Sequence, residues 1–303
     1  MDFLRYLLKR GPWDAIVDFM VYTTNDFSRR VDMLLNATKQ YVYLSSSRVY
    51  AESPTPLRED SPRLLDICGD KEYLATDEYA LAKARQEDLL KNSGRKNWTI
   101  IRPYITFSEI RLQLSPLEKE YWLYRALKGK PIVFSKDLSE RYTTITYGFD
   151  VARGIAAIIG EDAALGETFH ITSNETYQWS EIMEIYMDVI ERYIGHRPKI
   201  MLTDKWSCAL GGAALQVKFD RLYDRRFDNS KINRFVDTRS FKPVKSALSD
   251  CLASFLGNPQ FREIDWGSEA RKDKLLGEWT RINEIEGIKQ KAKYLLIRFG
   301  LHE

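Results

Sequence analysis

At 303 residues the chain is long enough for two domains, or for one domain with an appended lobe. Hydrophobic content of 44%, charged content of 29% and a net charge of +3 are ordinary for a soluble globular protein and give no argument for a nucleic-acid partner. No apolar run is long enough to span a bilayer, and the opening residues show no signal-peptide pattern, which sets the expectation of a cytoplasmic chain.

In chain order, residues 3–9 read as a short amphipathic helix, 13–20 as a strand and 25–37 as a helix. Residues 41–44 (Tyr-Val-Tyr-Leu) form a β-branched and aromatic run, the pattern of a buried strand, and they lead into Ser45, Ser46 and Ser47. Serines after a strand serve turns and caps more often than chemistry. In open α/β sheets, however, ligands bind beyond the carboxyl ends of strands, which is where these hydroxyls fall. Residues 78–92 read as a helix that carries Tyr79 and Lys83. A spacing of four puts both side chains on one helical face. A free tyrosine, with a pKa of about 10, is a poor acid or base at neutral pH. An ammonium one turn away favours the phenolate and suits the pair to proton transfer at a hydroxyl or carbonyl. The plainer reading of such a pair is two surface neighbours. A strand over residues 98–103 ends in Arg102-Pro103.

The chain divides near residue 104, giving a βα-alternating part over 1–104 and a mixed region over 105–303. The second region contains expected helices at 116–128, 150–160 and 178–195, strands at 131–134 and 142–146, and a charged helical tail over 269–299. The tail ends in a basic amphipathic stretch, a type of helix that lies on a membrane or a partner, or docks on its own domain. Cys68, Cys208 and Cys251 are widely spaced and odd in number, so free thiols are expected. His170, His196 and His302 are too scattered for a metal site, and no metal is expected. His170 falls in an expected strand and reads as a packed residue.

The serine segment with Val49-Tyr50, then Tyr79-Ala-Leu-Ala-Lys83, then Trp98-Thr-Ile-Ile-Arg-Pro103, resemble in order and spacing the extended short-chain dehydrogenase/reductase family, the NAD-dependent epimerases and dehydratases. Asp150-Val-Ala-Arg-Gly, Gly166-Glu-Thr-Phe-His-Ile-Thr and Phe227-Asp-Asn-Ser-Lys231 echo further family segments, so the resemblance runs from about residue 13 to about 250. The fold it implies is a Rossmann-like parallel α/β sheet, incomplete at its N-terminal side, with a smaller mixed α/β substrate lobe. The family's Gly-x-x-Gly-x-x-Gly turn, which brings backbone amides onto the cofactor pyrophosphate, does not occur. About sixty residues, the first three strands and two helices of a dinucleotide fold, are therefore expected to be absent. A truncated product, a second chain supplying that half, or a misplaced gene start would each account for it.

The resemblance implies roles for particular residues. Tyr79 would be the acid/base, and Lys83 would lower its pKa and hold the nicotinamide ribose. Ser46, or Ser47 one register away, would hydrogen-bond the reacting oxygen. Pro103 would border the nicotinamide of NAD or NADP. Phe19 and Met20 would approach the cofactor, with core packing as the alternative. The substrate would be a nucleotide sugar. The family's phosphate-gripping arginine falls at Thr143 here, and Arg141, two residues earlier on the same strand face, would replace it. Tyr147-Gly148, and Ile105 after Tyr104, also depart from the family pattern and indicate a divergent branch. Three readings follow: an NAD(P)-dependent epimerase, dehydratase or reductase; a non-catalytic binding module of the same fold; or an inactive truncated relative with weak cofactor binding and an unpaired sheet edge, inclined to pair with a copy of itself or another chain.

Overall fold

The computed structural model describes residues 2–207, 209 and 211–300. In chain order the longer elements are α1 (Asp2–Leu8), β1 (Trp13–Asp18), α2 (Thr24–Ser28), α3 (Val31–Asn36), β2 (Thr38–Leu44), α4 (Tyr79–Lys91), β3 (Trp98–Pro103), α5 (Lys119–Leu127), β4 (Ile132–Ser135), α6 (Gly148–Ile158), β5 (Glu167–Ile171), α7 (Trp179–Ile194), β6 (Ile200–Thr203), α8 (Val244–Gly257), α9 (Trp266–Leu276) and α10 (Ile288–Phe299). They fall into two units.

The first unit comprises residues 1–106, 144–176 and 225–242. Its sheet has the order β1-β2-β3-β5 with every pair parallel. Parallel strands are buried on both faces, and the side chains of β2 show why its run is continuously apolar. Tyr41 and Tyr43 point to one face, where they meet Phe27, Val31, Leu34 and Leu35 of α2 and α3, Leu90 of α4, and Trp98 and Ile100. Val42 points to the other and packs with Ile101, Phe169, Ile171 and the Val151, Ile155 and Ile158 stripe of α6. The result is a three-layer α/β/α unit. Gly154 of α6 lies so close to β5 that a Cβ there would sit 2.7 Å from the Ile171 side chain, so only glycine permits this approach.

Two expected elements of this unit differ in the structure. The helix over 25–37 is two helices. The Arg30 guanidinium turns back onto the Asp26 carbonyl and the Arg30 amide bonds to the Phe27 carbonyl, ending α2 before α3 begins. Those interactions satisfy carbonyls that a continuing helix would have used. The strand over 142–146 is also divided. Tyr142 and Thr143 pair antiparallel with Gln178 and Tyr177 in the second unit, whereas the Thr146 amide bonds to the Ile105 carbonyl in the first. The chain passes from one unit to the other between Thr143 and Thr144.

The second unit comprises residues 107–143, 177–224 and 243–303. β4 and β6 form a short parallel pair, and α7 packs on α8. α7 starts with the Glu181 carboxylate accepting the Gln178 amide and stops at Gly195, whose φ of +82° makes a left-handed cap. The tail over 269–299 is two helices rather than one, α9 and α10, joined through a turn around Ile282–Glu284. A buried ionic group fixes α9: Arg125 of α5 donates to Glu269 and Asp273, and Lys130 to Asp273. No helix among the described residues is long and apolar enough to cross a membrane.

Candidate functional site

The carboxyl ends of β1, β2 and β3 gather the residues singled out in the first unit. α4 begins at Tyr79 because Glu78 caps it, its carboxylate accepting the Ala80 amide at 2.8 Å. One turn on, Lys83 is only 2% exposed. Its Nζ donates to the Leu44 carbonyl, the last of β2, at 2.6 Å. The same nitrogen lies 4.6 Å from the Tyr43 ring centroid and 5.9 Å from that of Tyr79. Burial pushes the Lys83 ammonium down to about 8, against the opposing pull of Asp18 and Glu87.

Asp18 is the last residue of β1 and is buried. It accepts from the Tyr41 hydroxyl at 2.7 Å, the Tyr22 hydroxyl at 3.0 Å and the Met20 amide at 2.9 Å. Glu87, one turn beyond Lys83 on α4, is completely buried. Arg102 of β3 grips both its oxygens, at 2.8 and 2.6 Å, and Ser45 donates to it at 2.6 Å. Burial drives this carboxyl upward, but the Arg102 charge and the hydrogen bonds from Arg102 and Ser45 hold it below the usual glutamate range. Two buried carboxylates thus flank the Lys83 charge.

The three serines separate by their partners. Ser45 is bonded to Glu87, and Ser47 donates to the Arg102 carbonyl at 2.8 Å. Ser46 accepts the Arg48 amide at 3.2 Å as the cap of the short turn Ser47–Val49, and among the described residues its hydroxyl donates to nothing. That turn packs against α4. Arg48, which sequence reasoning passed over, pairs with Glu78 at 2.5 Å and holds its guanidinium 5.2 Å from the Tyr79 ring centroid. Only its adjacency to the serines hinted at it. Asp18 and Glu87 were also missed, since a carboxylate read in one dimension does not disclose a partner fifteen or more residues away.

Pro103, the last residue of β3, is half-buried at the same end of the sheet. Phe19 and Met20 are not core residues: they are 66% and 61% exposed just beyond β1. Arg141 belongs to the second unit, where its Nε is buried without a hydrogen-bond partner and its carbonyl accepts the Trp179 amide. His170 of β5 is fully buried, with Nε2 2.8 Å from the Asp228 carbonyl, and burial holds it below the usual histidine range. Among the described residues no group of His, Cys, Asp and Glu is placed to hold a metal ion. Cys68 and Cys251 are free thiols, while Cys208 and His302 lie outside the described residues.

An exposed apolar pair after β1, a buried ammonium and a tyrosine suit the nicotinamide and its ribose. None of the segments directly after β1, β2, β3 and β5 contains a glycine, so no glycine turn there offers amides to a pyrophosphate.

The model of the NAD dependent epimerase/dehydratase family matches residues 21–172, half of the chain. No curated protein is similar enough in sequence to match it. Among solved structures, UDP-glucuronic acid 4-epimerase from Bacillus cereus, in complex with UDP-glucuronic acid and NAD, is similar at 17% identity and a TM-score of 0.60, over 85% of this chain and 79% of that one. dTDP-glucose 4,6-dehydratase from Bacillus anthracis, in complex with NAD, is similar at 16% identity and a TM-score of 0.61, over 85% and 77%. DesIV, the dTDP-glucose 4,6-dehydratase from Streptomyces venezuelae with NAD bound, is similar at 17% identity and a TM-score of 0.63, over 84% and 77%. At these identities the likeness is one of fold.

Proposed function

We propose that this chain, which belongs to the NAD dependent epimerase/dehydratase family, is an NAD(P)-dependent epimerase, dehydratase or reductase of a nucleotide sugar, working through Tyr79, Lys83 and Ser46. The observation that carries this reading is the arrangement at the carboxyl end of β2: Tyr79 and the buried ammonium of Lys83 on one face of α4, with Ser46 the serine of its triplet whose hydroxyl proton is uncommitted. When bound, the nicotinamide supplies a hydride acceptor and donor. Phe19, Met20 and Pro103 would border it, and Lys83 would hold its ribose. Tyr79 takes the proton from a substrate hydroxyl or returns it. Lys83 keeps positive charge beside the phenolic ring, which favours the anion formed in that transfer. Ser46 donates to the reacting oxygen and fixes its position; Ser47 is spent on the Arg102 carbonyl. Arg141, with its unsatisfied Nε, is the candidate grip on a substrate diphosphate.

A second reading is supported by the missing glycine turn: a relative that keeps the site but holds cofactor weakly, as a binding module or inactive form. One experiment separates the two. UDP- and dTDP-sugars are incubated with the chain and NAD or NADP, and product is followed by chromatography. Tyr79→Phe removes only the phenolic oxygen and is expected to lower turnover on the order of 100-fold or more. Turnover within threefold of the parent would refute the assignment of Tyr79, and absence of turnover with every sugar nucleotide would favour the binding module.

A further inference from the structure

The helix α10 is held by one face and leaves an apolar stripe on the other. Its inner face is fixed by Tyr294, which is fully buried, donates to Asp273 at 2.7 Å and accepts the Thr280 amide at 2.9 Å. Arg298 adds a bond to the Glu278 carbonyl, and Lys293 pairs with Asp265 at 3.0 Å. Facing away from Tyr294 are Ile288, Ala292, Leu295, Leu296 and Phe299, at the i, i+4, i+7, i+8, i+11 spacing of a single helical face. Ile288 is 85% exposed, Leu296 73% and Phe299 60%. The Trp279 ring, itself exposed, lies 5.1 Å from that of Phe299 and widens the patch.

Packing within the unit does not explain this stripe, because the face that packs is the other one. Charge decides what covers it. α10 carries Lys289, Lys291, Lys293 and Arg298 and no acidic residue. Lys289 and Lys291 take part in no ion pair among the described residues. Two copies meeting stripe to stripe would bring the unpaired Lys289 and Lys291 of each together, four cations in all with no acidic residue of either helix between them, so a second copy is disfavoured. Leucine, phenylalanine and tryptophan on one side with lysines along the rim is the composition of a helix that lies in the headgroup region of a bilayer. We propose that α10, with Trp279, is a docking surface for an anionic lipid bilayer.

The test uses the full chain and sedimentation with vesicles of phosphatidylcholine, alone or mixed with phosphatidylglycerol. The chain is expected to partition onto the mixed vesicles, not onto phosphatidylcholine alone, and to be released at high salt. Each membrane-facing cation contributes about fivefold to such partitioning, so Lys289→Gln with Lys291→Gln is expected to weaken it about 25-fold. Leu296→Glu, at an exposed position where the fold is not at stake, is expected to weaken it at least tenfold. Equal affinity for both vesicle types, no sedimentation with either, or parental binding by both variants would overturn the proposal. So would a lipid-free dimer in analytical ultracentrifugation that Leu296→Glu dissolves, since the stripe would then be a protein interface.

Discussion

Replacing Lys83 with methionine tests the buried ammonium directly, because the two side chains have similar length and only one titrates. In the folded chain Lys83 ionises near 8 against an ordinary value of 10.5. The folded state therefore gives up this proton earlier than the unfolded one. Between those two values the unfolded chain binds more protons, so this group makes stability rise with pH. Below pH 8 the charged lysine subtracts about 3 kcal/mol from the folded state, the linkage equivalent of the difference. With 2% exposure, solvent does little to screen it. Carried through the titration, about 2 kcal/mol of this is recovered between pH 7 and pH 9.5. Lys83→Met leaves the Leu44 carbonyl without its donor, but that loss is the same at every pH and does not alter the slope. Urea denaturation of both proteins at the two pH values gives the comparison: the parent is expected to gain about 2 kcal/mol relative to the variant. Activity should move the opposite way. If the ammonium serves the proton transfer, turnover falls as pH rises through 8, while the same deprotonation stabilises the fold. Parallel stability curves for parent and Lys83→Met would refute the reasoning, since they would mean the amine is not held in a desolvated site.

Glu87→Gln leaves the Arg102 guanidinium buried without its charge partner, and a loss of about 3–5 kcal/mol in urea denaturation is expected; a loss under 1 kcal/mol would show that water reaches this pair. Arg141→Ala is expected to weaken binding of a nucleotide sugar by about 2–3 kcal/mol while leaving binding of the bare nucleoside unchanged; equal losses for both ligands would remove the phosphate role. Calorimetric titration with NADH and NADPH is expected to give weak binding, above micromolar, because the nicotinamide end has Tyr79, Lys83 and Pro103 while the strand ends supply no glycine turn for the pyrophosphate. A micromolar dissociation constant would mean other groups of this chain hold the phosphates.

How far the sequence discloses this molecule depends on how local each cause is. The strand ending in Arg102-Pro103 runs over Trp98–Pro103 as its apolar pattern predicts, because a parallel strand buried on both faces needs every side chain to be apolar or paired. The Tyr79/Lys83 spacing is legible for the same reason: helix geometry alone places both on one face, and Glu78 marks where the helix starts. Where a competing local bond intervenes, the pattern misleads. Residues 25–37 keep helical periodicity, yet the Arg30 turn onto Asp26 splits them. The threonines of 142–146 look like one strand, yet they divide between two units.

The site has a further layer that no spacing rule reaches. Three consecutive serines are equivalent in the sequence, and only their partners tell them apart: Glu87 for Ser45, a carbonyl of β3 for Ser47, and a neighbouring amide for Ser46. Glu87 and Arg102 lie fifteen residues apart, on a helix and the strand that follows it, and fold into a bidentate pair. Asp18 and Lys83 come from elements with the whole of β2 between them in sequence, yet Asp18 pulls upward on the ionisation that burial pulls down. The lysine's charge state near neutral pH is thus set by a balance of burial against two distant carboxylates. A change at either carboxylate should therefore shift the pH at which activity is lost, even though neither touches Tyr79 in sequence, and the shift should be toward lower pH, since each of them raises the Lys83 value. Glu87→Gln is expected to cost stability through Arg102; finding that loss without an acid shift of the pH profile would place Glu87 in the scaffold alone and leave Asp18 as the counter-charge of the site.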